Sequence, residues 1–445
     1  MKRGITKTQR DLINDLLDQG EGRFAIAQRA GVTPGQVSAL AAHRTIRARQ
    51  LSSPSALSGK DILIDEAHAI HGNDTILLGV TRDEKRMCWI PTISANPHML
   101  IVGESGYGKT YATSCLIAEL ARRQVPTIIF DYGQGFTAES ADPIFLREAI
   151  PQQLEVGRRG VAISPFQLFA TDVHGPLNVA QRIADTLARV YQNLGIQQHA
   201  LIRQAVLDVL EDVGIHSKVP DSWGKALPRF GLLHKKLLEY ALDPTNPDRK
   251  TARSAASHIA SLFLFDVFRS NGIPIKWGEL LERGQRSTIV QLRGLEQNLQ
   301  RASTEFLLWN LVAYLESVGP QELRCFVVID EAHRIPSGNG SAIERLLREG
   351  RKFGLGMILA SQQPEDFTSI ALSNTATKLV FQITDEKATI TKQLFRKLKL
   401  PMPFHQLHRT ITTLDRGFAF ALTQNRGGVV RISSLNERFS RSQEA

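Results

Sequence analysis

The sequence predicts an α/β fold, a mainly parallel sheet carrying a large helical insertion and preceded by a small helical segment, and three observations predict it. Short apolar runs recur at residues 99–102, 127–130, 288–292, 325–329 and 356–360, each the length of a strand buried on both faces. The first run breaks into a glycine-rich turn and then an amphipathic stretch (Ala112, Leu116, Ile117, Leu120), the strand-turn-helix order of a right-handed crossover. Residues 176–285 repeat apolar positions every three and four, as in Leu177, Val179, Ile183, Ala184, Leu187 and Val190, and are divided by Pro220, Pro228, Pro244 and Pro247.

In chain order, residues 1–45 read as a helix-turn-helix. Ala27, Gly31, Val37 and Leu40 fall where that motif needs a small residue, a turn glycine and two packing residues, with Leu12, Ile13, Leu16 and Leu17 supplying a supporting helix. The second motif helix would present Gln36, Ser38, His43 and Arg44 outward, toward base edges or phosphates. Residues 1–60 hold ten Lys and Arg against four Asp and Glu, so +6 of the net +10 lies there, which suits double-stranded DNA; a helical bundle used for protein contact is the alternative. The basic, Ser-rich residues 46–60 form a linker, and residues 61–98 a short strand-rich segment packed on the α/β core. Its Asp65, Glu66, Ala67 and His68 spell DEAH, but in front of the glycine-rich turn rather than after it, so they read as a strand ending in a polar turn.

The turn itself, MLIVGESGYGKT, is a P-loop. Gly103, Glu104, Ser105, Gly106, Tyr107 and Gly108 place backbone N–H groups around a polyphosphate. Lys109 reaches the β- and γ-phosphates, Thr110 offers its hydroxyl to Mg2+, and Tyr111 continues into a helix whose positive end faces the anion. ATP and Mg2+ are the implied cofactors. Residues 99–175 form the first part of the core, residues 176–285 the helical insertion, residues 286–434 the rest of the core and residues 435–445 a tail.

A second DEAH stands after the strand at 325–329. Asp330 at its end holds Mg2+ through water, and Glu331 is placed to polarise the attacking water. In REGRKFGLGMILASQQPED, Gln362 or Gln363 ends another buried strand where a γ-phosphate sensor belongs, and Arg348 and Arg351 on the helix before it are candidate arginine fingers. A two-motor DEAH-box helicase is excluded by spacing: Asp330 lies 221 residues beyond Lys109 and only 115 residues come after it.

The order P-loop, FDYGQGF, helical insertion, FVVIDEAHR, REGRKFGLGMILASQQPED and SNTATKLVFQIT resembles the HerA branch of the HerA/FtsK hexameric ATPases over roughly residues 77–434. The resemblance implies a RecA-like core forming a homo-hexameric ring around double-stranded DNA, with ATP at subunit interfaces and an arginine reaching in from the neighbour. It assigns Lys109 and Thr110 to the Walker A pair, Asp330 and Glu331 to the Walker B pair, Gln363 to the polar sensor and Arg351 to the interfacial arginine. Two features depart from it. Asn96, Pro97 and His98 stand where HerA-like proteins often carry a basic residue, and a helix-turn-helix with a strand-rich segment replaces the usual β-barrel. HerA-like proteins work with a partner nuclease or a defence effector, so two functions are implied: a DNA translocase or helicase feeding a nuclease, and a ring-shaped, nucleotide-gated regulator of an antiviral defence complex.

With 42% hydrophobic and 22% charged residues the chain is expected to be globular. Cys88, Cys115 and Cys325 show no metal-ligand spacing and fit a reducing cytoplasm, and no apolar stretch has the length of a membrane span.

Overall fold

The computed structural model describes residues 6–18, 23–32, 37, 75–94, 96–282, 284, 287–335, 338, 340–362, 364–396, 402–423 and 426–439. The chain divides into two compact units, Met1–Ala69 and Ile70–Ala445.

In the first unit, helix α1 (Lys7–Asp18) starts from a reciprocal cap: Gln9 N–H donates to Thr6 Oγ1 at 3.3 Å and Thr6 N–H to Gln9 Oε1 at 3.1 Å. Helix α2 (Arg23–Ala30) ends at Gly31, whose φ of 63° lets the chain turn. Ile13 and Leu16 pack with Ile26, Ala27, Ala30 and Val37, while Leu12 is exposed. Gln36, Ser38, Leu40, His43 and Arg44, the linker and the first DEAH lie outside the described residues.

The second unit is built on one eleven-stranded sheet with the order β2-β1-β11-β10-β9-β3-β8-β7-β4-β6-β5. Strands β1 (Ile76–Thr81) and β2 (Arg86–Trp89) form a hairpin ahead of β3 (Met99–Val102), which leads through helix α3 (Lys109–Arg122) to β4 (Thr127–Asp131). Helix α4 (Pro143–Ala149) and β5 (Pro151–Leu154) come next, and then α5 (Pro176–Val190), α6 (Ile196–Asp212), α7 (Gly231–Leu242) and α8 (Arg249–His258). The chain returns to the sheet at β6 (Ser287–Gln291), crosses by α9 (Gln297–Val318) to β7 (Gln321–Ile329), and by α10 (Ala342–Glu349) to β8 (Phe353–Ser361). Strand β9 (Thr377–Val380), helix α11 (Phe404–Thr412), β10 (Phe418–Leu422) and β11 (Gly427–Arg431) complete it.

Strands β9, β3, β8, β7, β4, β6 and β5 pair in parallel, whereas β9 to β10, β10 to β11, β11 to β1 and β1 to β2 are antiparallel. The central runs are apolar throughout because both faces are covered. On β3, Leu100 and Val102 enter one core and Met99 and Ile101 the other; on β7, Val327 and Ile329 oppose Phe326 and Val328 in the same way. Two sequence expectations change. The hairpin β1–β2 is not a separate element packed on the core; it continues the sheet, because β11 leaves an open edge that Val80 and Thr81 take up opposite Arg431 and Val430. Strand β7 also begins at Gln321, before the apolar run, on a polar lead-in that pairs irregularly with β8.

This topology opens a crevice. The crossover from β3 through α3 to β4 leaves room for two strands, filled later by β7 and β8, so the carboxyl ends of β3, β8, β7 and β4 share one edge. Among the described residues no helix is long and apolar enough to cross a membrane.

Candidate nucleotide-binding and hydrolysis site

The chain leaves β3 at Gly103 with φ of 151°, where a Cβ would stand 2.5 Å from Phe381 Cβ, so no other residue fits without moving the strand beside it. The loop then turns through Gly108 at φ 109°, and α3 begins at Lys109 with no side chain capping its first N–H groups. Those donors are left for an anion. Lys109 is 7% exposed, and its Nζ donates to the Glu104 carbonyl at 2.9 Å, a partner that a phosphate oxygen would replace. Burial pushes its ammonium pKa down, against the pull of Glu331, Asp330 and Glu104.

The rest of the P-loop is fixed from the antiparallel side of the sheet. Glu104 N–H donates to the Gln382 carbonyl at 2.8 Å and its carboxylate accepts from Thr384. The Tyr107 carbonyl accepts from Gly417 N–H at 3.1 Å, and the Tyr111 hydroxyl accepts from Leu435 N–H at 2.9 Å; Ser105 and Gly106 are exposed.

Across the crevice, Thr110 Oγ1 donates to Asp330 Oδ2 at 3.3 Å. Asp330 is buried, which pushes its carboxyl up to about 7, reinforced by the charges of Glu331 and Asp131 and opposed by Thr110 and Lys109. Asp131, at the end of β4, is also buried and raised, although Gly133 N–H at 2.9 Å and Gln291 Nε2 at 3.0 Å donate to it. A hydroxyl, a buried carboxylate beside it and two further carboxylates make a place short of positive charge. That donor set fits Mg2+, which takes one or two protein oxygens and the rest of its shell from phosphate and water.

Glu331 comes directly after, in the left-handed region at φ 62° and ψ 53°, a conformation costing a non-glycine residue roughly 1–2 kcal/mol. Its carboxylate is held by His333 Nδ1 at 3.1 Å and by Gln362 Nε2 at 3.3 Å to each oxygen. These groups line a cleft of about 300 Å³ with Thr110, Asp131 and Asp330.

The structure therefore brings Lys109, Thr110, Asp330 and Glu331 together. Gln363 lies outside the described residues, and its neighbour Gln362 faces Glu331. Arg348 and Arg351 do not line the cleft. Arg348, on the last turn of α10, is 56% exposed and paired with Glu344 at 2.9 Å. Arg351 is exposed and sits not on the helix but in the 3₁₀ turn Gly350–Lys352, where the chain tightens to enter β8. Sequence reasoning assigns no role to Asp131 or His333. The signal for Asp131 is nonetheless present, since it ends an apolar strand at DYGQGF just as Asp330 ends one at DEAH.

Residues 93–311 match the family described as helicase HerA, central domain. The DNA double-strand break repair helicase HerA of Saccharolobus solfataricus is 23% identical over 309 residues, covering 65% of this chain and 56% of that protein. That of Sulfurisphaera tokodaii is 22% identical over 336 residues, covering 72% and 62%. The chain thus spans little more than half of these relatives' length. Among solved structures, VirB4 of Thermoanaerobacter pseudethanolicus superposes with a TM-score of 0.63 at 16% identity, covering 82% of this chain and 98% of that one. Plasmid coupling protein TrwB in complex with ADP and Mg2+ does so at 0.51 and 15%, covering 76% and 85%. The matched central domain and the two relatives make residues 93–311 HerA-like, on a fold shared with VirB4 and TrwB.

Proposed function

We propose that the chain hydrolyses ATP with Mg2+ at the carboxyl edge of its parallel strands and, as a homo-hexameric ring, uses that cycle to translocate or unwind double-stranded DNA for a partner nuclease or effector. The observation that carries this reading is the meeting, past the ends of β3 and β7, of an uncapped helix N-terminus, a lysine held on its own loop carbonyl, and a hydroxyl–carboxylate pair beside a glutamate that faces the cleft.

The chain's own residues divide the work. The N–H groups of Gly103–Thr110 receive the phosphates, and Lys109 exchanges the Glu104 carbonyl for a β- or γ-phosphate oxygen. A magnesium ion beside Thr110 and Asp330 would add positive charge to those same phosphates. Glu331 accepts the proton of the attacking water, in line with the bond to the γ-phosphorus. Arg348 and Arg351, exposed and away from their own cleft, are the side chains we assign to a neighbouring subunit's site, with Arg351 the first choice. The N-terminal unit, with Gln36, Ser38, His43 and Arg44, would add DNA affinity. HerA-like relatives described as DNA repair helicases support the DNA substrate.

Phosphate release measured with and without duplex DNA tests the reading. Lys109→Ala should lose nucleotide binding, while Glu331→Gln should bind ATP and turn it over about 10²–10⁴-fold more slowly. A protein that releases no phosphate under any condition, or that stays monomeric with ATP and DNA in native mass spectrometry, would overturn it.

A further inference from the structure

Glu331 can act as a base only if its carboxylate is aimed, and a glutamate side chain has three rotatable bonds with which to miss. Strands β7 and β8 run in parallel with Ile329 opposite Leu359, so the residues two further on, Glu331 and Ser361, emerge level with each other. Between them stands His333, returned beside Glu331 by the single 3₁₀ turn Ala332–Arg334. His333 Nδ1 lies 3.1 Å from Glu331 Oε2 and 3.4 Å from Ser361 Oγ. Ser361, 1% exposed, in turn donates its hydroxyl proton to Asp366 Oδ2 in the turn Pro364–Asp366.

Donor and acceptor arithmetic leaves one arrangement. A carboxylate only accepts, so His333 Nδ1 must carry a proton; Ser361 has committed its own proton to Asp366, so its oxygen is free to accept from that same Nδ1–H. The imidazole is thus fixed in tautomer and in plane by a line of groups running Asp366, Ser361, His333, Glu331. Gln362 is a looser hold, since one exposed amide nitrogen spans both carboxylate oxygens at 3.3 Å.

Building on the proposed ATPase reading, we infer that His333 is the positioning residue for Glu331: it pins Oε2 through Nδ1 and leaves Oε1 for the attacking water, with Ser361 and Asp366 holding the ring. Its effect on the reaction runs through Glu331.

The test is steady-state ATP turnover and fluorescent ATP-analogue binding on the full chain. His333→Ala should lower kcat about tenfold to a hundredfold while KM and analogue affinity stay within about twofold. His333→Asn, whose amide nitrogen reaches the Nδ1 position, should recover most of the lost turnover. His333→Gln, whose amide reaches the Nε2 position, should not. Unchanged kcat in His333→Ala, equal rates for Asn and Gln, or a loss of analogue affinity in step with kcat would each overturn the inference. Its failure is separable from failure of the ATPase reading: in the first case wild type turns over ATP and Glu331→Gln does not, and in the second wild type shows no turnover that Lys109→Ala can remove.

Discussion

Asp330 and Glu437 are both acidic side chains set near strand ends, and they are held at opposite extremes. Asp330, in the parallel centre, is pushed up to about 7 by burial and by two neighbouring carboxylates, with Thr110 and Lys109 as its opposing partners. Glu437, on the short helix Leu435–Phe439 beyond the antiparallel wing, is pulled down to about 2 by Arg431, which donates at 2.9 and 3.1 Å, and by Ser434 N–H at 2.7 Å. The difference comes from strand direction. Parallel strands all end at one edge, so the residues at and just past those ends, Gly103, Asp131, Asp330 and Gln362, are delivered side by side without a returning strand to pair with. Antiparallel strands return at once, and the wing's polar groups find partners in the turns between them. The centre stays short of positive charge and strained, which is the condition a phosphate and its cation relieve; the wing is satisfied and holds the centre in place.

The largest expected effect breaks this comparison at its charged end. Asp330→Asn removes a buried, poorly compensated charge, so turnover should fall by at least about a hundredfold while the nucleotide-free melting temperature rises by about 1–2 °C. Calorimetric melting of the two proteins without nucleotide checks it, and a fall in Tm would mean that Asp330 is as well satisfied as the wing. The opposite outcome is expected at Arg438. Its side chain is 1% exposed, pairs with Glu119 of α3 at 3.3 Å, and donates to the carbonyls of Ser433 at 2.8 Å, Leu78 at 3.2 Å and Leu77. Arg438→Ala leaves Glu119 buried with Arg123 alone and should cost about 3–5 kcal/mol in urea unfolding, with kcat per folded molecule close to wild type. A variant that is stable but slow would show that the wing takes part in the chemistry.

The same contrast explains what the sequence made legible. The centre could be read because its signals are local: a strand buried on both faces is apolar in every position, and a P-loop or an acidic strand end is complete within a dozen residues. The wing could not. Strand β9 contains Lys378, which reads as a surface residue, yet it is fully buried with Nζ donating to Leu372 O at 3.0 Å and to Thr375 O and Oγ1 at 2.9 Å, closing the short helix Ser369–Asn374. Its burial depends on pairing with β3, more than 270 residues earlier, and no local pattern reports that. Strand β11 carries Gly427 and Gly428, poor strand formers that are strands here because β10 and β1 flank them. Within the site, the two strand-end acids were equally visible, but only the parallel register shows Asp131 beside Asp330 and Gln362 near Glu331, and only the 3₁₀ turn after Glu331 brings His333 back onto it.

The smallest effect is the pH response of the wing, and its sign is fixed. The Glu437 carboxyl ionises at about 2 in the folded chain against an ordinary 4.5, so the unfolded chain binds more protons than the folded one between those values. Its contribution is therefore fully present above about pH 4.5 and is lost as the pH falls toward 2. The amount is small, because Arg431 and Glu437 are 46% and 47% exposed and water and salt screen them; well under about 1 kcal/mol is expected at moderate ionic strength. Many other carboxylates protonate over the same range, so the quantity to measure is the stability difference between wild type and Glu437→Gln across pH 2.5–6 at two salt concentrations. That difference should shrink on acidification and shrink again at high salt. A gap that stays constant with pH would mean that Ser434 N–H, and not the charge on Arg431, is what Glu437 contributes, and the wing would then owe its stability to backbone capping alone.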